Sequence, residues 1–411
     1  MSPRVVATGL GVVAPNGVGK DEFWNSVMEG RSGIGKISQF NASDYPTRIA
    51  GEVTGFNPKK FMDHKQARRL SRFAQFALAS AKMAIDDAQV DIAQEPDFRV
   101  GIALGTAVGG IAVCEEECSK LFRRGLSAVS PLSVMAMNPN SGVGAIAAEF
   151  GINGPNLTIS TGCSAGLNAI GYAFDLIQRG KVNVMIAGGS EAPLSPVTFD
   201  SFCASHTLTR RNSNPGQASR PFDKNRDGFA LGEGCGMVIL ESLDHALERG
   251  SKIYAEVKGY SVTNDAYNSE EVQASGRGTA QTMNMAMENA GISPEDIDYI
   301  NAHGSSSLLA DKKETKAIKL SLGGHAYDVA ISSIKSMIGQ PLGATGGLQF
   351  ATTAMALSES RLPPTTNYED PDPDCDLDYV PNKSRNAELK TALINSFGMG
   401  GNNVSLVVKT L

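Results

Sequence analysis

The stretch KIYAEVKGYSVTND at 252–265 echoes the opening of the chain, RVVATGLGVV at 4–13, which runs into a turn. Both are β-branched runs that end in polar or glycine-bearing residues. The segments after each also rhyme. RVGIALGTA (99–107), VNVMIAGGSEA (182–192) and GCGMVILES (234–242) read as short buried strands, because apolar runs of this length with little charge fit a sheet covered on both faces. Segments 66–88, 164–180 and 280–292 carry helical spacing, 297–307 reads as strand then loop, and 391–409 as a Gly-turned hairpin. Strand–helix alternation given twice predicts an α/β fold of two similar halves, 1–251 and 252–411.

The length of 411 residues suits two domains of ~100–200 residues or one duplicated unit. A net charge of −6 argues against a nucleic-acid partner. No apolar run reaches the ~18 residues of a membrane-spanning helix. The first 17 residues read as a buried strand and not as a signal peptide. The six cysteines, at 114, 118, 163, 203, 235 and 375, are dispersed. This is the pattern of free thiols in a reducing cytosol, so a cytoplasmic location is expected. Cys114 and Cys118 lack the further ligands a zinc site needs. No dinucleotide fingerprint or phosphate loop is present, so neither metal nor organic cofactor is expected.

Chemistry concentrates in three loops. In STGCSAGLNAIGYAFDLIQ a strand passes through small residues into a helix with apolar positions at Leu167, Ile170, Phe174 and Ile177. Cys163 stands at the turn. There the helix macrodipole and free N–H groups favour a nucleophilic thiolate, and the Cys163 N–H is available to an oxyanion. A small buried hydrophobe is the other reading of such a cysteine. His303 closes a strand and opens the Gly/Ser loop NAHGSSS, and NSFGMGGNN (395–403) offers backbone N–H groups from a glycine turn.

These motifs in this order resemble the β-ketoacyl-[acyl-carrier-protein] synthase family, nearest to synthase II and the ketosynthases of type II polyketide systems. TGLGVVAPNG, STGCSAG, SRPFDKNRDGFALGEGCGMVILE, NAHGSSS with DKKE, SSIKSMIGQPLGATGG and NSFGMGGNN carry the resemblance over essentially the whole chain. It implies a thiolase fold, two βαβαβαββ halves in five αβαβα layers, and a homodimer, with a heterodimer beside a related subunit as the other arrangement. It implies an acyl-enzyme on Cys163 that condenses with malonyl-acyl carrier protein after decarboxylation. The phosphopantetheine arm arrives on the carrier.

Residue by residue, the resemblance makes Cys163 the nucleophile, His303 the first catalytic histidine, and Lys335 and Glu314 supporting charges, with Asp311 at the neighbouring acidic position. It puts the oxyanion hole at the N–H groups of Cys163 and Met399, and Val108 in the acyl pocket. Six positions depart from the family. Gln340 stands for a second histidine, Met399 for a gating phenylalanine, Ser305 and Ser307 for two threonines beside the pantetheine arm, Leu308 for a proline, and Asn268 for a site-lining histidine.

A glutamine offers one neutral N–H donor where a histidine would also exchange protons. Besides condensation, two alternatives therefore stay open: acyl transfer without decarboxylation, and a non-catalytic partner subunit like a chain-length factor. Carrier proteins are acidic, so a basic face is expected to receive one. Lys65, Arg68, Arg69 and Arg72 in HKQARRLSRF have i, i+3, i+4, i+7 spacing, which predicts one helical face. Arg123, Arg124, Arg210 and Arg211 add to the charge.

Overall fold

The structure is a computed structural model that describes residues 2–268 and 273–411. The first half contributes strands β1 (Val5–Ala14), β2 (Val100–Gly105), β3 (Asn156–Ile159), β4 (Val184–Glu191) and β5 (Gly234–Ser242). The second contributes β6 (Ala255–Asn264), β7 (Tyr299–Asn301), β8 (Ala330–Ser332), β9 (Thr391–Phe397) and β10 (Asn402–Lys409). The helices that matter here are α1 (Arg72–Ala88), α2 (Ser141–Phe150), α3 (Ala165–Gln178), α4 (Arg277–Ala290), α5 (Leu308–Leu322) and α6 (Thr345–Glu359).

The duplication is explicit in the pairing. The first half runs β1-β5-β4-β2-β3 and the second β6-β10-β9-β7-β8. In each, the three strands farthest from the junction run parallel, and β5 or β10 lies antiparallel between them and the junction strand. The halves are joined where Val5–Ala7 of β1 pairs antiparallel with Ala255–Val257 of β6. Helices α1 and α2 cover the outer face of the first sheet, α4 and α5 that of the second, and α3 and α6 fill the space between the sheets. The result is the five-layered αβαβα arrangement that the resemblance implies.

Glycine sets the layer spacing. A Cβ on Gly9 or Gly11 of β1 would come within 2.1 Å of Ala84 O or 1.9 Å of Ser80 O of α1. At the equivalent place a Cβ on Gly259 of β6 would meet Ala286 O of α4 at 2.3 Å. Only a residue without a side chain lets the helix backbone lie directly on the strand.

One expected element is broken. The helix expected from 66 to 88 is two, because Leu70 is extended (φ −90, ψ 137) and a fresh helix starts after Ser71. Arg72 therefore leaves the helical face of Lys65, Arg68 and Arg69. Its guanidinium instead binds the buried carboxylate of Glu233 (2.6 Å) and the carbonyl of Val53 (2.7 Å). Arg72 is a structural cation and not part of an exposed basic face. Among the described residues no helix is long and apolar enough to cross a membrane.

Candidate active site

Between β3 and α3 the chain makes a tight turn, Gly162–Ser164, with Gly162 at φ +62. Cys163 sits in it, 9 % exposed. The loop after β7 brings His303, and the segment before α6 brings Gln340, 3 % exposed. These three side chains line one cavity of about 170 Å³ together with Ser305, Ser307, Phe397 and Met399. A larger cleft of about 700 Å³ along Lys36–Ser43 and Asn212–Ser213 carries none of them.

The thiol differs from expectation. Burial pushes Cys163 up to about 11, opposed by a hydrogen bond from the Gln340 side chain and by the Lys335 charge. The helix terminus alone does not make a resting thiolate here, because removal from water disfavours the anion more strongly. Gln340 is anchored through its backbone: its N–H donates to Ala230 O (2.8 Å) and its carbonyl accepts from Gly232 (2.9 Å). Its side-chain Oε1 is buried without a partner.

His303 has a defined tautomer. Its Nδ1 accepts the N–H of Phe397 at 3.2 Å, so the ring proton resides on Nε2. Burial, with Lys335 and Lys313 nearby, holds the ring well below the ordinary histidine range. The imidazole is thus neutral and presents one donor.

Lys335 and Glu314 act on the backbone beneath that ring. Lys335 Nζ donates to the carbonyl of His303. Glu314 accepts the N–H groups of His303 (2.8 Å) and Gly304 (2.7 Å). Burial raises Glu314 to about 7 and lowers Lys335 to about 8, each moderated by the other's charge. Asp311 does the same one step along, accepting from Ser305 N–H (3.0 Å) and Phe222 N–H (2.9 Å), with Arg226 at 3.6 Å.

The glycine loop 398–401 lies against the turn that carries Cys163: a Cβ on Gly398 would stand 2.7 Å from Thr161 O and 3.5 Å from Cys163 N. Two residues at the end of β6 hold this loop. Asn264 Nδ2 donates to Gly400 O (2.9 Å), and the Asp265 N–H donates to Gly401 O (2.9 Å). Met399 is 59 % exposed at the rim.

Two expected lining residues lie off the wall. Val108 gives its N–H to Glu191 (3.2 Å), whose carboxylate also binds Thr106, Ala107 and Gly343. Val108 is not among the residues lining this cavity. Asn268 is exposed and likewise outside the lining. Conversely, Phe397, Lys313, Asp265, Phe202 and Phe229 line the cavity, and sequence reasoning did not single them out. Phe397, Lys313, Phe229 and Asp265 lie inside stretches read for other residues; Phe202 lies in none.

Away from the cavity, Lys65, Arg68 and Arg69 are exposed on the short helix His64–Arg69. Arg210 is exposed beside His206, with its guanidinium 3.2 Å from the ring Nδ1. All six thiols are free.

Comparison with known proteins agrees with this geometry. The model of the beta-ketoacyl synthase N-terminal domain matches residues 2–246, and that of the C-terminal domain residues 254–369. The chain is 46 % identical over 406 residues to 3-oxoacyl-[acyl-carrier-protein] synthase 2 of Synechocystis sp., covering 99 % of this chain and 98 % of that one. It is 42 % identical to the same-named protein of Coxiella burnetii, over 98 % of each. Among solved structures it superposes with TM-score 0.93, at 37 % identity over the full length of both, on a type II polyketide ketosynthase in complex with its acyl-carrier protein and bound to the hexaketide. It superposes equally, at 33 % identity, on the ishigamide ketosynthase/chain length factor. Two domain models that together span residues 2–246 and 254–369, and a relative 46 % identical over nearly the whole length, make this chain a member of the beta-ketoacyl synthase family.

Proposed function

We propose that the protein is an acyltransferase of the β-ketoacyl-acyl carrier protein synthase type, and that Cys163, His303 and Gln340 carry out decarboxylative condensation. In the first step Cys163 Sγ bonds to the carbonyl carbon of a carrier-bound acyl thioester. The bond to the phosphopantetheine sulfur breaks, and the leaving thiol takes the proton that Cys163 gives up. Because one thiol replaces another, no net base is needed. The N–H groups of Cys163 and Met399 face the oxyanion.

In the second step a malonyl thioester presents its carbonyl oxygen to Nε2–H of His303 and the amide of Gln340. The bond to the carboxylate breaks, carbon dioxide leaves, and its electron pair becomes an enolate stabilised by two neutral donors. The enolate carbon attacks the acyl carbonyl on Cys163, and the thiolate departs and is reprotonated. The observation that carries this reading is the Phe397 N–H on His303 Nδ1, which leaves the far nitrogen protonated and uncharged. Neutral donors suit an enolate, whereas a charged imidazolium would compete by giving up its proton. The test is intact-mass detection of an acyl adduct on Cys163, together with carbon dioxide release from labelled malonyl-carrier protein.

The carrier protein is proposed to dock on Lys65, Arg68 and Arg69, with Arg210 adding charge, and to deliver the substrate on its own phosphopantetheine arm; no other cofactor is invoked. A homodimer is proposed through the edge strand β3. Leu157 is 39 % exposed there, and Phe122 (85 %), Leu126 (85 %), Val134 (65 %) and Met135 (65 %) add exposed apolar surface. An open strand edge with apolar surroundings favours pairing with another chain. The free thiols fit a cytoplasmic location.

A further inference from the structure

One charged group on the cavity wall has no part in the steps above. Lys313 projects from α5 into the cavity that holds Cys163, His303 and Gln340. Its side chain is 7 % exposed. Among the described lining residues it is the only lysine or arginine, and Asp265 is the only carboxylate. The two form an ion pair of 2.6 Å. Asp265 is further held by Asn403 Nδ2 at 2.8 Å, so its position is fixed by the end of the glycine loop.

Keeping an ammonium on a largely apolar wall is costly, since desolvation works against the charge even when a partner is present. An apolar side chain would fill the same volume without that cost. Lysine also carries three N–H donors, and the Asp265 carboxylate takes one. The ammonium lies 5.7 Å from the centre of the Phe397 ring, and the His303 ring lies 5.3 Å from that same centre. The enolate donor and the cation therefore both lie within 6 Å of the centre of one aromatic ring.

We propose that Lys313 is the specificity residue for the carboxylate of the extender thioester; this rests on the condensation reading above and adds the group that recognises the anionic substrate. In a malonyl thioester the carboxylate stands only two carbon–carbon bonds from the thioester carbonyl. When that carbonyl oxygen is held by His303, the carboxylate falls within reach of side chains around Phe397, and Lys313 supplies donors and charge there. Asp265 tempers the effect. A free ammonium would hold the carboxylate so strongly that loss of carbon dioxide would suffer, because ground-state stabilisation raises the barrier. Sharing its charge with Asp265 leaves Lys313 able to select the anion with less opposition to its departure.

The experiment measures equilibrium binding of carrier protein charged with a malonyl or an acetyl group through a stable amide in place of the thioester, both to the full-length Cys163→Ala protein, so that neither acyl transfer nor decarboxylation changes the probe. With Lys313 present, malonyl-carrier protein binds tighter than acetyl-carrier protein by about tenfold, the usual order for one tempered charge-assisted contact. Lys313→Met abolishes that preference, and Lys313→Arg keeps most of it. The double change Lys313→Met with Asp265→Asn removes the buried charge imbalance and should behave as Lys313→Met does. A preference of the same size with and without Lys313 overturns the proposal, as does equal binding of both carriers to the parent protein. Failure of the condensation reading shows separately, as absent carbon dioxide release and absent Cys163 adducts in the native protein.

Discussion

The N–H of Phe397 donates to Nδ1 of His303 at 3.2 Å, so the strand that leads into the glycine loop also fixes the proton on the histidine. Lys335 and Glu314 hold the same residue by its carbonyl and N–H. None of the three needs to touch substrate to matter; they are positioning residues. Glu314→Gln leaves one amide oxygen where two carboxylate oxygens accepted, so either His303 or Gly304 loses its acceptor. The expected cost is about 1–3 kcal/mol for a buried unsatisfied group, read by urea denaturation. Condensation should fall further than the stability loss explains, because the ring is displaced. Unchanged stability would contradict the role assigned to Glu314.

The thiol of Cys163 is raised to about 11 by burial. Its reactive form is the thiolate, so alkylation by iodoacetamide should rise about tenfold per pH unit from 7 to 9, following the deprotonated fraction. The sign is set by the direction of the shift: below the raised value the group stays protonated and slow. Gln340→Leu removes a donor that favours the anion and should slow alkylation further. A rate that is already flat near pH 7 would show a depressed thiol instead.

The basic segment divides in two. Arg68→Glu with Arg69→Glu should raise KM for carrier-bound substrates and leave small thioester mimics unaffected, since charge at a docking face acts on encounter. Arg72→Ala should behave differently. Glu233 is fully buried and would keep only its bonds from Gln39 and Val53, for a loss of about 1–3 kcal/mol in folding stability. Thermal melting separates the two cases. If Arg72→Ala instead raises KM at full stability, the assignment of the ion pair is wrong.

The proposed dimer face gives a further test. Leu157→Lys on the edge strand and Phe122→Asp on the exposed helix should shift the protein toward monomer in sedimentation velocity. A dimer that tolerates both changes would have to use another surface.

Much of this was legible from residues. The β9–β10 hairpin shows in TALINSFGMGGNNVSLVVK because apolar runs flank a glycine turn. The duplication shows in the strand runs of both halves. The loops that meet at the cavity show because a cysteine between small residues and a histidine before Gly/Ser are rare local patterns. What failed had no local cause. The spacing of Lys65 to Arg72 mimics one helical face, but the chain breaks at Leu70 and Arg72 pairs with Glu233, 161 residues further on. The raised thiol is a consequence of burial, which depends on layers brought together from both halves. Lys313 was hidden between Lys312 and Glu314, where a charge run reads as a solvated helix face.

Gln340 carries the central claim. Its amide is buried beside Cys163 and able to donate one neutral hydrogen bond, and it cannot exchange a proton as histidine does. The decisive measurement is carbon dioxide release from labelled malonyl-carrier protein by the native chain and by Gln340→Leu, with Cys163 acylation followed in parallel by intact mass. The account expects release by the native protein, a fall of about 10²–10³ on loss of the donor, and acylation that persists in both. No release from the native chain, with Gln340→Leu unchanged and Cys163 still acylated, would contradict it and leave acyl transfer without decarboxylation as the activity.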